Sequence, residues 1–129
     1  MNDIKNCKGF CEYCDESDAL FIHDKKDYIY DSSIELDYGI ILDYDHDGIP
    51  VAIELLNASK IFKIPKDSLQ TIDKLEVHVK VNEKSIHLEL NFEVSLNNKK
   101  QNCSLDSLKY NNLSLPNTEV KISSNSFEN

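Results

Sequence analysis

The sequence predicts a mainly β domain, α+β tending to all-β: an antiparallel meander of hairpins with one or two short helices near 57–71. Three observations predict it. Apolar and polar residues alternate with a period of two along several short runs, the period of a half-buried strand. Those runs are rich in Val, Ile, Tyr and Phe, and clusters of Asp, Asn and Gly punctuate them. No stretch alternates strands with long helical patterns, so a parallel α/β sheet is not expected.

In chain order, residues 1–9 are polar and expected to be a flexible lead-in to a single domain over 10–123. Strands are expected at Phe10–Cys14, Ala19–His23, Tyr28–Leu36, Ile40–Tyr44 and Ile49–Leu56. Asn57–Phe62 can close a helical turn, and Pro65–Gln70 a second, with Pro65 near its first position. Two long alternating strands follow, Leu75–Val81 and Ile86–Val94. The Asn- and Ser-rich remainder offers edge strands around Cys103–Leu108 and Thr118–Ile122, and residues 124–129 are expected to be disordered.

The 75–94 hairpin has a register that the pattern dictates. Its apolar positions are odd on the first strand and even on the second, so odd must oppose even for both to face one core. Val81 then opposes Ile86, Val79 opposes Leu88 and Val77 opposes Leu90. The outer face pairs His78 with Glu89 and Lys80 with His87, which reads as ordinary solvated cross-strand pairing.

Asp37–Ser59 admits two readings. Asp43, Asp45, Asp47 and Glu54 fit the D-x-D-x-D-G-x5-E pattern of a calcium loop, with Gly48 at the bend. Calcium loops of that kind lie between helices, whereas these flanks are strand-like, so a hairpin is expected. It places Ile40, Leu42 and Tyr44 opposite Ile53, Val51 and Ile49, with Asp45–Gly48 as the turn. Asp43 then faces Pro50 and Glu54 faces Gly39, separating the two carboxylates by about 13 Å along the strands. Asp45 and Asp47 alone remain a weak cation site.

The balance of 14 Lys+Arg against 23 Asp+Glu gives a net charge of −9, and every cation is lysine. Without arginine there is no bidentate fork for phosphate or guanine, and the acidity repels polyanions. Nucleic acid and anionic membranes are therefore not expected partners. No apolar run is long enough to span a bilayer, and MNDIKNCKGF has no export pattern, so a cytoplasmic location is expected.

Cys7, Cys11 and Cys14 are spaced C-x3-C-x2-C. The spacing resembles the cluster loop of radical S-adenosylmethionine enzymes, but no Gly-rich cofactor segment or βα alternation accompanies it. A structural zinc site asks less: the three thiols joined by Cys103 or His23 make a tetrahedral set. The competing expectation is that Cys11 and Cys14 are ordinary strand residues and Cys7 a loop thiol, packing as small hydrophobes. No serine sits in a Gly-bounded elbow, and no phosphate loop or dinucleotide fingerprint is present.

Glu12-Tyr13, Ser17–Ile22, Gly39-Ile40, Asp43–Gly48 and Ile53–Ser59 together resemble the small prokaryotic family catalogued as domain of unknown function 2283. Leu113–Pro116 is similar to the tails of longer archaeal members. The resemblance places Glu12-Tyr13 in the first strand and Cys11 at a position usually apolar. It implies no catalytic residue, and an antitoxin-like partner role for the shorter bacterial members. The expected function is a non-enzymatic interaction module, or regulatory partner protein, whose acidic face or strand edge engages a protein or a second copy. The alternative is a redox-responsive or metal-binding protein holding zinc or an iron–sulfur cluster on Cys7, Cys11, Cys14 and Cys103.

Overall fold

The alternating runs form nine strands and two short helices in a computed structural model, whose described residues are 4–124. In chain order these are β1 (Lys5–Cys14), β2 (Ala19–Asp24), β3 (Tyr30–Asp37), β4 (Ile40–Asp45), β5 (Pro50–Leu55), α1 (Ala58–Phe62), α2 (Lys66–Leu69), β6 (Asp73–Val81), β7 (Ser85–Leu96), β8 (Lys99–Tyr110) and β9 (Thr118–Ser124). The chain is mainly β, as its period-two patterning requires. All the strands lie in one sheet, ordered β3-β4-β5-β2-β1-β9-β6-β7-β8.

The meander is interrupted twice. β3-β4-β5 and β6-β7-β8 are each antiparallel meanders, but β5 returns to pair with β2, and β9 returns to lie between β1 and β6. Thr118–Ile122, expected at an edge, is therefore interior, with Val120 and Ile122 buried. Its partner at one side is the segment expected to be a loose lead-in: Lys5–Lys8 pairs with Val120–Ser123, in parallel. From Gly9 onward the same strand pairs with β2 instead. Met1–Asp3 and residues 125–129 of the expected tail lie outside the described residues, while Ser124 closes β9.

Gly9 sits at the point where β1 changes partners. A Cβ there would lie 2.4 Å from Ile122 Cγ2 and 2.8 Å from the His23 carbonyl oxygen. Only a residue without a side chain lets β2 and β9 approach the strand together at this point.

One core serves the whole sheet. Leu20, Ile22, Leu42 and Ile53 from one half and Val77, Val79, Leu88 and Leu90 from the other belong to a single buried cluster. The two edge strands, β3 and β8, come into contact, and Lys109 Nζ donates to the Glu35 carbonyl at 2.7 Å. The helices cover the core beside β7 and β8, with the Phe62 ring edge-on to Phe92 at a centroid separation of 4.8 Å. The 75–94 hairpin has the register its pattern demands, Val81 opposite Ile86 through Val77 opposite Leu90. No helix among the described residues is long and apolar enough to cross a membrane.

Gly9→Ala is expected to cost about 1–3 kcal/mol through overpacking against β2 and β9. Urea unfolding monitored by far-ultraviolet circular dichroism measures it; an unchanged midpoint would mean that the strands move apart freely at that junction.

Candidate functional site

The Asp-rich segment is a hairpin, but its register differs from the expected one by two residues. Asp45 pairs with Ile49 through a three-residue loop in which Gly48 takes φ 77°. A second irregularity follows: Tyr44 opposes Pro50, whereas Asp43 opposes Ala52, so Val51 is an extra residue in β5. Pro50 has no N–H to give the ladder, which suits a bulge. Each single-residue slip would turn β5 over; the two together restore the faces and slide the strand along β4.

That slide overturns the 13 Å separation. Glu54 opposes Ile41, and Asp43 opposes Ala52, so Asp43 and Glu54 are diagonal neighbours on the outer face. Their carboxyl groups are close enough to interact through a shared proton and through charge. Burial first, then the hydrogen bond and the charge of Asp43, pushes Glu54 up to about 7. The pair can hold one proton between its members near neutral pH, or two negative charges for a bound cation.

The surroundings are built by neighbouring strands. Ser33, opposite Asp43 on β3, donates its hydroxyl proton to Asp43 Oδ1. Having one proton, Ser33 accepts from Tyr30 OH at 2.6 Å. Phe21, opposite Glu54 on β2, stacks on His23 with ring centroids 4.8 Å apart. Phe21, Tyr28 and Tyr30 wall a cleft of about 380 Å³ with Ser33, Asp43 and Glu54. Burial and the charges of Asp43, Asp24 and Glu54 raise the Tyr28 hydroxyl. Among the described residues no lysine forms an ion pair with Asp43 or Glu54.

Other residues singled out in the sequence have structural positions. Asp45 Oδ1 accepts the N–H groups of Asp47 and Ile49, both at 2.9 Å, so its carboxylate closes the turn. Asp47 is 70% exposed and lies 3.5 Å from His46 Nε2. Cys7 and Cys11 share the inner face of β1, four strand positions and so about 13 Å apart. Cys14 is exposed on the opposite face, and Cys103 is buried on β8 opposite Phe92. Among the described residues the structure does not gather three of these thiols, or two with His23, around one point. Burial pushes Cys7 up to about 11, assisted by the hydrogen bond and charge of Asp24. Burial and then Glu12 push Cys11 up to about 12, and burial raises Cys103. Cys14 alone is lowered, by its hydrogen bonds with Ser17.

Asp18 is the residue whose importance the pattern left unexplained. Only 6% exposed, and at φ 54°, it accepts from Tyr13 OH at 2.7 Å and from Ser59 N at 3.0 Å on one oxygen, and from Ser59 Oγ at 2.7 Å on the other. Its carbonyl accepts from Ala58 N at 2.9 Å. It therefore caps α1 from across the fold, because Asn57 makes no side-chain cap. Burial raises the Asp18 carboxyl, but the hydrogen bonds from Tyr13 and Ser59 and the charge of Lys66 outweigh it, leaving a net lowering.

Comparison with known proteins bears on the same segment. Residues 11–59, which contain Tyr13, Asp18, Asp43, Glu54 and Ser59, match the family described as "Protein of unknown function (DUF2283)". A Methanosarcina mazei protein provisionally named hypoxanthine phosphoribosyltransferase is 39% identical over 107 residues, 81% of this chain and 84% of its own. An uncharacterized protein of Methanocaldococcus jannaschii is 35% identical over 80 residues, 61% of this chain and 67% of its own. No solved structure gives a significant match.

Two outcomes are expected. Asp18→Ala strands Tyr13 OH and both Ser59 donors, costing about 2–4 kcal/mol in chemical denaturation. For Glu54 the sign follows from proton uptake: the folded group keeps its proton up to about pH 7, while the unfolded one releases it near 4.5. Folding thus takes up a proton between those values, and stability falls as pH rises through them. Glu54→Gln removes that loss, so at pH 8 the variant should be more stable by about 1–2 kcal/mol after solvent screening. Urea midpoints measured from pH 4 to 8 should converge at the acid end.

Proposed function

The chain belongs to the DUF2283 family, whose description assigns no activity, and we propose that it is a non-enzymatic interaction module that seats a cationic side chain of a protein partner in the Asp43–Glu54 cleft. The observation that carries this reading is the composition of the cleft: two neighbouring carboxyl groups, without a lysine ion pair among the described residues, walled by Phe21, Tyr28 and Tyr30. Ammonium and guanidinium groups are attracted to both parts of that lining, by charge and by the negative faces of the rings. The net charge of −9 favours encounter with a basic partner.

The cleft opens beside Tyr30 and Ser33 of β3, an edge strand whose later part, at Glu35, meets β8. An antitoxin-like or other regulatory role is the form of this reading in which the basic partner is held inactive. The name of the Methanosarcina relative does not extend it. Phosphoribosyl transfer needs a phosphate cradle of the kind found at helix N-termini. The helices here span five and four residues, and the sequence has no arginine.

Nuclear magnetic resonance titration with Lys- and Arg-containing peptides tests the proposal. Shifts should centre on Phe21, Tyr28 and Tyr30, and an Asp43→Asn/Glu54→Gln double variant should bind at least tenfold more weakly. Affinity should be higher at pH 8 than at pH 6, because a cation displaces the proton that Glu54 holds up to about 7. Equal binding by the double variant, or affinity that rises toward acid pH, would overturn it.

A further inference from the structure

We propose that the outer face of β7 and β8 carries a divalent transition-metal site of the zinc class, with His87, Glu89 and Asp106 as its protein ligands. The strand period places His87 and Glu89 on one face of β7, and the β7–β8 register sets Asp106 directly opposite Glu89. Asp106 is thereby diagonal to His87, and one ligand atom from each of the three lies within 4.8 Å of the others. All three are on hydrogen-bonded strands, so the backbone fixes their spacing.

Within the set a proton on His87 serves Asp106 and leaves Glu89 without that bond. His87 Nε2 lies 2.7 Å from Asp106 Oδ1 and 3.5 Å from Glu89 Oε1. One ring nitrogen can donate one proton, so only one of the two carboxylates can be satisfied by it. A zinc ion about 2.0–2.1 Å from nitrogen and oxygen ligands sets neighbouring donors about 3.3 Å apart. The observed separations bracket that edge length. Two carboxylates also neutralise the charge of the ion, and an imidazole with two oxygens is a donor set suited to zinc and its borderline neighbours.

The same face supplies a second, independent feature. A cleft of about 340 Å³ adjoins the set, lined by His78, Glu89, Glu76 and Lys121 among others. His78 stands directly opposite Glu89 on β6, with its Nε2 2.6 Å from Glu119 Oε2. An ion on three protein ligands keeps a position open, and the recess that shares Glu89 with the set contains a second imidazole. The site shares no residue with the Asp43–Glu54 cleft and uses none of the four thiols.

Isothermal titration of the untagged full-length protein with zinc, together with its cobalt absorption spectrum, tests the site. One saturable site in the micromolar range is expected, with cobalt bands lacking thiolate charge transfer. His87→Ala and Asp106→Asn should each weaken zinc at least tenfold, whereas Cys7→Ser/Cys11→Ser/Cys14→Ser and His46→Ala should not. All three ligand side chains are at least one-third exposed, so the variants can be checked against an unchanged apo melting temperature. The absence of saturable binding, undiminished binding by both ligand variants, or a thiolate band would each overturn the proposal.

Discussion

A single strand joins the two halves of this sheet. Through Lys5–Lys8, β1 is a parallel neighbour of β9; from Gly9 it is the antiparallel neighbour of β2. The meander β3-β4-β5 reaches β1 only through β2, and β6-β7-β8 only through β9. The continuity of the sheet therefore passes through the few atoms around Gly9, where Ile122 and the His23 carbonyl leave no room for a Cβ. Because β9 is the last strand and β1 the first, this junction joins parts of the chain far apart in sequence. Its closure entropy has to be met before the two halves can share one core.

Asp18 is a second clamp, tying β1 to α1. Tyr13 belongs to β1, Asp18 to the turn after it, and Ser59 to the first turn of α1. The Asp18 carboxylate binds the other two directly. The matched residues 11–59 thus hold the buried acid together with both of its partners. Losing either partner leaves that acid underbonded where water cannot replace the bond, which makes Tyr13, Asp18 and Ser59 interdependent.

What was legible in the sequence follows from what is local. The β6–β7 register was fixed by strict alternation, since any odd slip exposes a whole apolar face. The same logic placed the faces of β4 and β5 correctly but not their offset. Two compensating irregularities, the loop closed by Gly48 and the extra Val51, leave the face pattern intact while moving Glu54 next to Asp43. Pro50 was the available signal, a strand residue unable to join the ladder. The position of β9 was hidden for another reason: alternation says which face is buried and nothing about which strand lies alongside. Asp106 was invisible as a ligand on the same ground, because its place opposite Glu89 is set by the β8 register. The three cysteines suggested a cluster by their spacing alone; a strand that runs from Lys5 to Cys14 holds such thiols apart or on opposite faces.

The two proposed sites differ in the class of cation they suit, and the difference is physical. Around Asp43 and Glu54, aromatic side chains offer ring faces beside the carboxyl groups, which favours a large, weakly hydrated organic cation. Around His87 the donors stand on an open sheet face, where an ion can keep water while exchanging some of it for nitrogen and carboxylate oxygen. Two other surface acids lie beside a basic side chain: Glu93 is 3.6 Å from Lys74, and Glu119 is 2.6 Å from His78. Ionic strength separates the two modes. Charge steering toward an exposed cleft is screened over about a Debye length, whereas a metal held by direct coordination has bonds that salt barely weakens. The proposed organic-cation cleft lies within the matched residues 11–59 and the proposed metal site on β7–β8, so one curled sheet can present two chemically distinct sites without either constraining the other.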